Sequence, residues 1–222
     1  MTPHIIYDLD DLMVNSLPMH EEAGERALQE YGHSFSELPS GLRASFIGRR
    51  VIDIAKDTFE YFNIKAPVEA YYKKRSALFL ELVKEKLEAM PGLHASLELF
   101  CRNRFPIAVA SSGTTEYIGI VLEKFSIGGY FDVIVSGDDV TKGKPDPETF
   151  IIAAKKLDVE PARCIVLEDA TNGIKAAKAA QYKCIAVKNP YTPPQDLSGA
   201  DMVADTLSAI SLEHIKSLVP YV

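Results

Sequence analysis

The chain has 222 residues, of which 47% are apolar and 25% are charged, and its formal net charge at pH 7 is −7. This composition excludes a disordered or fibrous protein, and the absence of a lysine- or arginine-rich block argues against nucleic acid as a partner. The length suits a compact α/β protein with room for a second, smaller inserted unit.

The sequence also bears on location. We find no signal-peptide pattern at the start of the chain and no apolar run of membrane-spanning length, so we expect a cytoplasmic protein without a membrane partner.

Cys101, Cys164 and Cys184 are far apart in apolar surroundings and lack the spacing of a zinc site, which predicts reduced thiols in the core. We expect a monomer.

The first predicted strand lies in the run from His4 to Asp10 and ends in two carboxylates. Because residues i and i+2 of a strand project on the same side, Asp8 and Asp10 are expected to emerge together. One aspartate of such a pair can bind Mg²⁺ while the other handles protons, as nucleophilic chemistry on a phosphate ester requires. Taken alone, the pair is explained as readily by turn formation or helix capping.

Residues 17–87 differ from the rest of the chain. They are rich in Glu, Lys, Leu and Tyr, carry helical patterns and contain no convincing strand. The turn-prone run Met90-Pro91-Gly92 marks the return of the chain. The sequence therefore predicts an all-helical cap over 17–87 inserted into a core made of residues 1–16 and 88–222.

Beyond about residue 104, short apolar runs alternate with helical patterns. The predicted strands are Pro106 to Ala110, Val133 to Val135, Cys164 to Leu167 and Cys184 to Val187. Alternation of buried strands with amphipathic helices predicts a doubly wound parallel sheet, a Rossmann-like α/β core.

Chemically capable side chains follow the predicted strands. Ser111 and Ser112 precede a helix whose N-terminus favours phosphate, and Lys144 lies in a loop where an ammonium group can neutralise phosphoryl oxygens. Glu168 and Asp169 follow a later strand. Each could be only a cap or a solvated group, but ligands bind at the carboxyl ends of parallel strands, and the four strand ends converge there.

The ordered motifs resemble those of the haloacid dehalogenase-like hydrolases with a small helical cap, and the resemblance spans essentially the whole chain. The motifs are Tyr7 to Ser16, Val109 to Ser112, Gly143 to Pro147, and Leu167 to Asp169 with Asn172 and Gly173. Within that family the sequence is most similar to the sugar-phosphate and nucleotide phosphatases together with β-phosphoglucomutase.

The resemblance implies a role for each motif residue. Asp8 would be the nucleophile that forms an aspartyl-phosphate, and Asp10 would protonate the leaving oxygen and then activate water. Ser111, the amide of Ser112 and Lys144 would hold the phosphoryl group.

The same resemblance implies a cofactor. Mg²⁺ would lie between the Asp8 carboxylate, the backbone carbonyl of Asp10 and Asp169, with Glu168 binding directly or through water.

One position departs from the family pattern, which has glycine where this chain has Asp11. Glycine there would permit a backbone conformation that a side chain resists. An added carboxylate would also repel a neighbouring one by about 3 kcal/mol at 6 Å and an effective dielectric of 20. Asp11 either points into solvent without effect, or weakens catalysis, or favours Mg²⁺.

Substrate specificity is expected to come from the cap. The candidate side chains are His20, Arg49 and Arg50. The run from Lys73 to Arg75 could meet sugar hydroxyls or a second phosphate, but we interpret it as a solvated helix face. Phe46 and Ile47 could stack on a substrate, but we interpret them as part of the cap core.

Three functions compete. The first is a Mg²⁺-dependent phosphatase for small phosphomonoesters such as sugar phosphates or nucleotide-like molecules. The second is a phosphosugar mutase related to β-phosphoglucomutase, which excludes water and returns the phosphoryl group to the sugar. The third is a phosphometabolite-binding protein in which catalysis is weakened at Asp11. Release of inorganic phosphate separates the first from the second, and binding without turnover identifies the third.

Overall fold

A parallel sheet of six strands forms the centre of the protein, in a computed structural model that describes residues 2–221. The strands are β1 (His4–Tyr7), β2 (Ile107–Ala110), β3 (Val133–Val135), β4 (Cys164–Glu168), β5 (Lys183–Val187) and β6 (Met202–Ala204). Their order across the sheet is β3-β2-β1-β4-β5-β6, and every neighbouring pair is parallel. The predicted doubly wound α/β fold is confirmed.

Strand β1 occupies the middle of the sheet because its residues can be buried on both faces. Ile5 pairs with Ile107 on one side and with Ile165 on the other. Its side chain and that of Tyr7 join one apolar layer, whereas Ile6 joins the opposite layer. Both layers exclude water, so the strand consists of consecutive apolar residues.

Nine α-helices are present within the described residues. They are α1 (Leu17–Leu28), α2 (Ser40–Ser45), α3 (Val51–Tyr61), α4 (Val68–Lys86), α5 (Leu93–Arg102), α6 (Thr115–Lys124), α7 (Glu148–Lys156), α8 (Thr171–Ala179) and α9 (Leu212–Leu218). Helices α5, α6 and α9 bury apolar residues against the layer that holds Ile5, and α7 and α8 bury theirs against the layer that holds Ile6. None of the helices between residues 2 and 221 is long and apolar enough to cross a membrane.

Two expectations from the sequence need correction. Strand β6 was not predicted, because it has only three residues and its middle residue, Val203, is 45% exposed. Cys164 and Cys184 are buried as expected, but Cys101 is exposed. Its helix α5 buries the face that carries Leu97 and Phe100, and the next residue along the helix turns toward solvent.

Helices α1 to α4 lie between β1 and β2 in the chain, and residues 17–86 contain no strand in the described structure. Part of this segment forms an apolar cluster of its own, which includes Leu28, Phe59 and Tyr71. Met19 and Val83 instead join the main apolar layer against the sheet. The division into a cap over 17–87 and a core remains a prediction.

The two segments that connect the helical insertion to the sheet run beside each other. Val14 and Ala89 form an antiparallel bridge. The amide of Asn15 donates to the Glu88 carbonyl at 2.9 Å, and the amide of Met90 donates to the Met13 carbonyl at 2.9 Å. The insertion therefore joins the rest of the molecule through a pair of hydrogen-bonded strand-like segments.

Candidate active site

The carboxyl ends of β1, β2 and β4 bring the predicted acidic and hydroxyl groups to one edge of the sheet. The amide of Asp8 donates to the Leu167 carbonyl at 3.0 Å, which continues the pairing of β1 with β4. Asp8 and Asp10 both line a cavity of about 310 Å³ that extends into the helical insertion. The sheet edge thus faces a cavity large enough for a small ligand.

Lys144 lies at the centre of this edge and is only 2% exposed. Its Nζ donates to Asp8 Oδ1 at 2.5 Å and to Glu168 Oε1 at 2.7 Å. Burial alone would lower the pKa of Lys144, but the two carboxylates raise it above its ordinary value. The side chain therefore stays cationic in a site from which water is largely excluded.

Glu168 is held by several donors at once. While Oε1 accepts from Lys144, Oε2 accepts from the amides of Asp169 at 2.9 Å and Ala170 at 3.0 Å. A Cβ at Gly173 would lie 1.6 Å from Glu168 Oε1, so this approach of helix α8 to the carboxylate requires glycine. Glu168 and Gly173 of the fourth motif can therefore lie side by side only because glycine has no side chain to collide with the carboxylate.

Three carboxylates form a potential cation site. Asp8, Glu168 and Asp169 each offer an oxygen, and these oxygens lie within 4.8 Å of one another. Asp169 Oδ2 is buried and has no hydrogen-bond partner among the described residues. Burial, reinforced by the neighbouring carboxylates, raises the pKa of both Asp8 and Asp169. A hard divalent cation would supply the missing partner and reverse this repulsion, so the residues fit a metal.

Asp10 accepts hydrogen bonds from several elements. Ser16 Oγ and the Tyr117 hydroxyl each donate to Oδ1 at 2.7 Å, and Ser111 Oγ donates to Oδ2 at 3.3 Å. His20 Nε2 lies 3.4 Å from Oδ1. Burial alone would raise the pKa of Asp10, but these partners lower it. The arrangement favours the ionised carboxylate.

The two serines after β2 have different contacts. Ser111 is fully buried, and its Oγ accepts from the amide of Gly113 at 2.9 Å as well as donating to Asp10. Ser112 lines the cavity, and its Oγ donates to the Gly48 carbonyl at 2.9 Å. The first hydroxyl therefore lies beside the carboxylates, and the second joins the sheet edge to the helical insertion.

His20 also lies beside the carboxylates, at the start of the helical insertion. Its ring stacks on Phe79 with 4.0 Å between centroids, and its Nδ1 is in contact with Arg75 Nη2. Burial and the charge of Arg75 lower the pKa of His20. Arg75 is only 6% exposed, so its assignment to a solvated helix face was wrong. It turns inward because it can pack on Phe79 and donate to His20.

The two cap arginines lie in different surroundings. Arg49 lines the cavity that contains Asp8 and pairs with Asp57 at 2.8 Å. Arg50 pairs with Asp53 and donates to the Val140 carbonyl at 3.0 Å, and it lines a second cavity of about 610 Å³. Arg50 thereby connects the helical insertion to the loop after β3.

Asp11 is buried, with 5% of its surface exposed, so it does not point into solvent. Its φ is 61°, in the left-handed region that favours glycine. Its Oδ1 accepts from the amides of Ser16 at 3.0 Å and Leu17 at 2.9 Å, which begin helix α1. Burial and the charge of Asp10 raise the pKa of Asp11 to about 7.

The contacts of Ser16 and Tyr117 with Asp10 were not anticipated from the sequence, nor was the contact of Arg75 with His20. Ser16 was visible as the last residue of the first motif, but its bond to Asp10 depends on the turn at Asp11. Tyr117 and Arg75 belong to α6 and α4, and nothing local in their sequence indicates that these helices bring them to Asp10 or His20.

A parallel sheet with an acidic cluster, a buried lysine and serine hydroxyls at its carboxyl edge places the protein among the α/β proteins with a strand-end site. A family model described as haloacid dehalogenase-like hydrolase matches residues 5–187, and the chain belongs to this family. The match spans all four motifs.

Two relatives with assigned names are similar along most of their length. A phosphorylated carbohydrates phosphatase from Thermotoga maritima is 31% identical over 180 residues, covering 79% of this chain and 80% of the relative. A validoxylamine A 7′-phosphate phosphatase from Streptomyces hygroscopicus subsp. limoneus is 31% identical over 216 residues, covering 95% and 96%.

The fold is shared with a solved structure of β-phosphoglucomutase from Clostridium difficile. The TM-score is 0.85 and the identity is 23%, with 99% of this chain and 97% of the other chain covered. At this identity the likeness shows that the two chains share a fold.

Proposed function

We propose that the protein is a Mg²⁺-dependent phosphatase that hydrolyses small phosphomonoesters through an aspartyl-phosphate on Asp8. The observation that carries the proposal is the buried Asp8 carboxylate, which contacts Lys144, borders the unpartnered oxygen of Asp169 and opens on a ligand-sized cavity. Relatives named as phosphatases of phosphorylated carbohydrates support the same class of substrate.

In this proposal Asp8 attacks phosphorus, and the phosphoryl group moves from the leaving oxygen to the Asp8 carboxylate. Lys144 already lies 2.5 Å from Asp8 and therefore offsets charge on the transferring group without reorganisation. The Ser111 hydroxyl and the Ser112 amide would hold the remaining phosphoryl oxygens.

Asp10 would give a proton to the leaving oxygen and later accept one from the water that hydrolyses the aspartyl-phosphate. Its hydrogen bonds from Ser16 and Tyr117 hold the ionised form. The described conformation therefore suits the second step, in which Asp10 acts as the base.

The groups that would hold Mg²⁺ are the carboxylates of Asp8 and Asp169, the Asp10 carbonyl, and Glu168 directly or through water. The cation would supply charge neutralisation between the anionic nucleophile and the anionic substrate. We propose a small phosphorylated metabolite as the partner of the site, and a monomeric state and a cytoplasmic location remain predictions.

The first test is phosphate release from a panel of sugar phosphates, nucleotides and phosphoglycolate, with Mg²⁺ present and after chelation. We predict turnover that requires Mg²⁺, and a loss on the order of 10³ or more in Asp8→Asn, because that change removes the nucleophile. Asp205→Asn is the matched control, since Asp205 is an exposed aspartate paired with Lys188.

Turnover that resists chelation, or an active Asp8→Asn protein that is correctly folded by circular dichroism, would contradict the mechanism. Isomerisation of a sugar phosphate without release of phosphate would identify the mutase instead. Saturable binding without turnover would identify the phosphometabolite-binding protein.

A further inference from the structure

The cavity that Asp8 and Asp10 line has a largely apolar wall on the side of the helical insertion. Its apolar members are contributed by separate turns and helices: Phe35, Phe46, Ile47, Val51, Ile54 and Tyr71. Phe46, Ile47 and Tyr71 are buried. Phe46 and Ile47 thus line the ligand cavity as well as belonging to the apolar interior of the insertion.

An apolar wall discriminates between leaving groups. A hexose brings hydroxyls that would lose hydrogen bonds to water without gaining partners from this wall, which is unfavourable. A flat ring with apolar faces binds more favourably there, because its apolar surface is removed from water. The wall therefore suits a ring-bearing leaving group better than a bare sugar.

Three arginines line the same cavity, and one of them differs from the others. Arg49 pairs with Asp57, and Arg75 contacts His20. Arg43, in the last turn of α2, has a buried Nε that finds no hydrogen-bond partner among the described residues. The glutamate of the lining, Glu21, is exposed, so solvent screens its charge.

The unpartnered Nε leaves the guanidinium group of Arg43 without a fixed acceptor, so an acceptor on a ligand in the cavity would bind the group through its terminal nitrogens. The guanidinium group has a planar fork of donors that matches a carboxylate or a pair of carbonyl-type oxygens. Arg43 is therefore equipped to bind an oxygen at the part of the ligand that does not react.

We propose that the cavity takes phosphomonoesters whose leaving group carries a planar, largely apolar ring, with an anionic or carbonyl oxygen that accepts from Arg43. The inference rests on the proposed phosphatase function and specifies its substrate class. It favours ring-bearing esters over hexose phosphates and makes Arg43 a residue that determines specificity.

The test uses primary alkyl phosphates that differ only beyond the reacting ester. A series of 4-carboxyphenyl-alkyl phosphates, with one to three methylenes between ring and phosphate, is compared with the matching 4-methylphenyl-alkyl phosphates. Glucose 6-phosphate, also a primary ester, serves as the polar comparison. Because three spacer lengths are compared, the result does not depend on one particular distance between Asp8 and Arg43.

We expect the carboxylate ester of at least one length to exceed its methyl partner in kcat/KM by about tenfold or more, the size of a charge-assisted hydrogen bond. The same ester should exceed glucose 6-phosphate. Arg43→Met should reduce the preference for carboxylate to within about twofold, and Arg43→Lys should retain part of it. Arg102→Met, at an exposed arginine of α5 paired with Glu98, should leave the preference unchanged.

Calorimetric binding of the non-hydrolysable phosphonate analogue of the preferred ester, with wild type and Arg43→Met, separates this inference from the proposed function. If esters are hydrolysed but no preference depends on Arg43, the inference is overturned and the phosphatase stands. If no ester is hydrolysed but the phosphonate binds at least about tenfold more weakly to Arg43→Met, the function fails and the ligand class stands. If glucose 6-phosphate outperforms every ring ester, the apolar wall does not select the substrate.

Discussion

Asp11 affects the stability of the fold in two opposite ways, through its backbone conformation and through its carboxylate. Its left-handed φ of 61° disfavours most side chains by about 1–2 kcal/mol relative to glycine, although aspartate and asparagine tolerate it better than the others. Its carboxylate also caps helix α1 through the amides of Ser16 and Leu17, and helix caps contribute about 0.5–2 kcal/mol. A substitution at this position therefore changes both terms.

Three substitutions at Asp11 separate these terms in thermal unfolding. Asp11→Asn keeps an acceptor for the amides, tolerates the left-handed backbone and removes a buried charge beside Asp10, so we expect a melting temperature equal to or above that of wild type. Asp11→Gly removes the capping carboxylate but also removes the cost of the left-handed φ. Asp11→Ala removes the carboxylate and keeps that cost. The alanine variant should be less stable than the glycine variant by about 1 kcal/mol.

The same variants test whether Asp11 affects catalysis. Removal of its charge in both Asp11→Asn and Asp11→Gly should change kcat/KM, or the Mg²⁺ concentration for half activity, in the same direction. If both quantities stay within twofold of wild type, Asp11 acts only on helix α1. An alanine variant as stable as the glycine variant would contradict the account of the backbone.

Tyr117 places a buried hydroxyl against Asp10, and it is 1% exposed. Tyr117→Phe removes only the oxygen, so Asp10 should be positioned less well for proton transfer. We predict a fall in kcat of about tenfold for alkyl phosphates, and a smaller fall for 4-nitrophenyl phosphate, whose leaving group needs no proton.

Tyr7→Phe is the control for this prediction. It also removes a buried hydroxyl, but one that donates to Ser96 at 2.9 Å instead of to a carboxylate of the site. Its effect should be equal for both kinds of ester. Equal falls for both esters in Tyr117→Phe would contradict a role in protonating the leaving group, and would place the effect in the shared hydrolysis of the aspartyl-phosphate or in packing.

At the scale of elements, strands were predictable where burial on both faces demands consecutive apolar residues. Ile107 to Ala110 and Cys164 to Leu167 satisfy this condition, and the carboxyl ends of such strands meet at one edge, which is why the candidate residues there could be predicted. Strand β6 lies at the sheet edge with Val203 exposed, so its apolar pattern is too short to recognise. The contact of Arg75 with His20 depends on how α4 packs against α1, and that of Tyr117 with Asp10 depends on how α6 packs beside the end of β1. No local pattern specifies either arrangement.

Asp201 stabilises the connection between α8, β5 and β6. Its Oδ2 accepts from Lys178 Nζ at 2.6 Å and from the amide of Cys184 at 2.9 Å. Burial alone would raise the pKa of Asp201, but these donors lower it below its ordinary value. A depressed carboxyl pKa stabilises the fold above the unfolded-state pKa of about 3.9, and the contribution is lost as the pH falls through the folded-state value.

We therefore predict that Asp201→Asn lowers the melting temperature at pH 7, and that its difference from wild type shrinks toward pH 3. Asp205→Asn, which removes an exposed pair with Lys188, should have a smaller effect at pH 7. A difference for Asp201→Asn that is the same at pH 7 and pH 3 would show that the charge of Asp201 contributes nothing.

At the scale of the whole molecule, the segment between α2 and α3 is held by side chains from the sheet edge. Ser112 donates to the Gly48 carbonyl, and Asn172 Nδ2 donates to the carbonyls of Ser45 at 3.0 Å and Ile47 at 2.8 Å. Phe46 and Ile47 in the same segment line the cavity beside Asp8. The donors that fix this wall thus follow the same strands that supply the candidate catalytic groups.

Because Asn172 holds the segment that contains Phe46 and Ile47, we predict that Asn172→Ala makes this part of the cavity wall more mobile without unfolding the protein. Hydrogen exchange of a peptide covering residues 42–52 should become faster, and KM should rise by about tenfold while kcat falls less, because the Ser45 and Ile47 carbonyls lose their donor. Asn103→Ala is the matched control, since Asn103 Nδ2 donates to the Leu99 carbonyl at 2.7 Å at the exposed C-terminal end of α5. If both variants leave exchange in 42–52 and KM unchanged, the segment is held by its apolar contacts alone, and Asn172 has no part in closing the cavity.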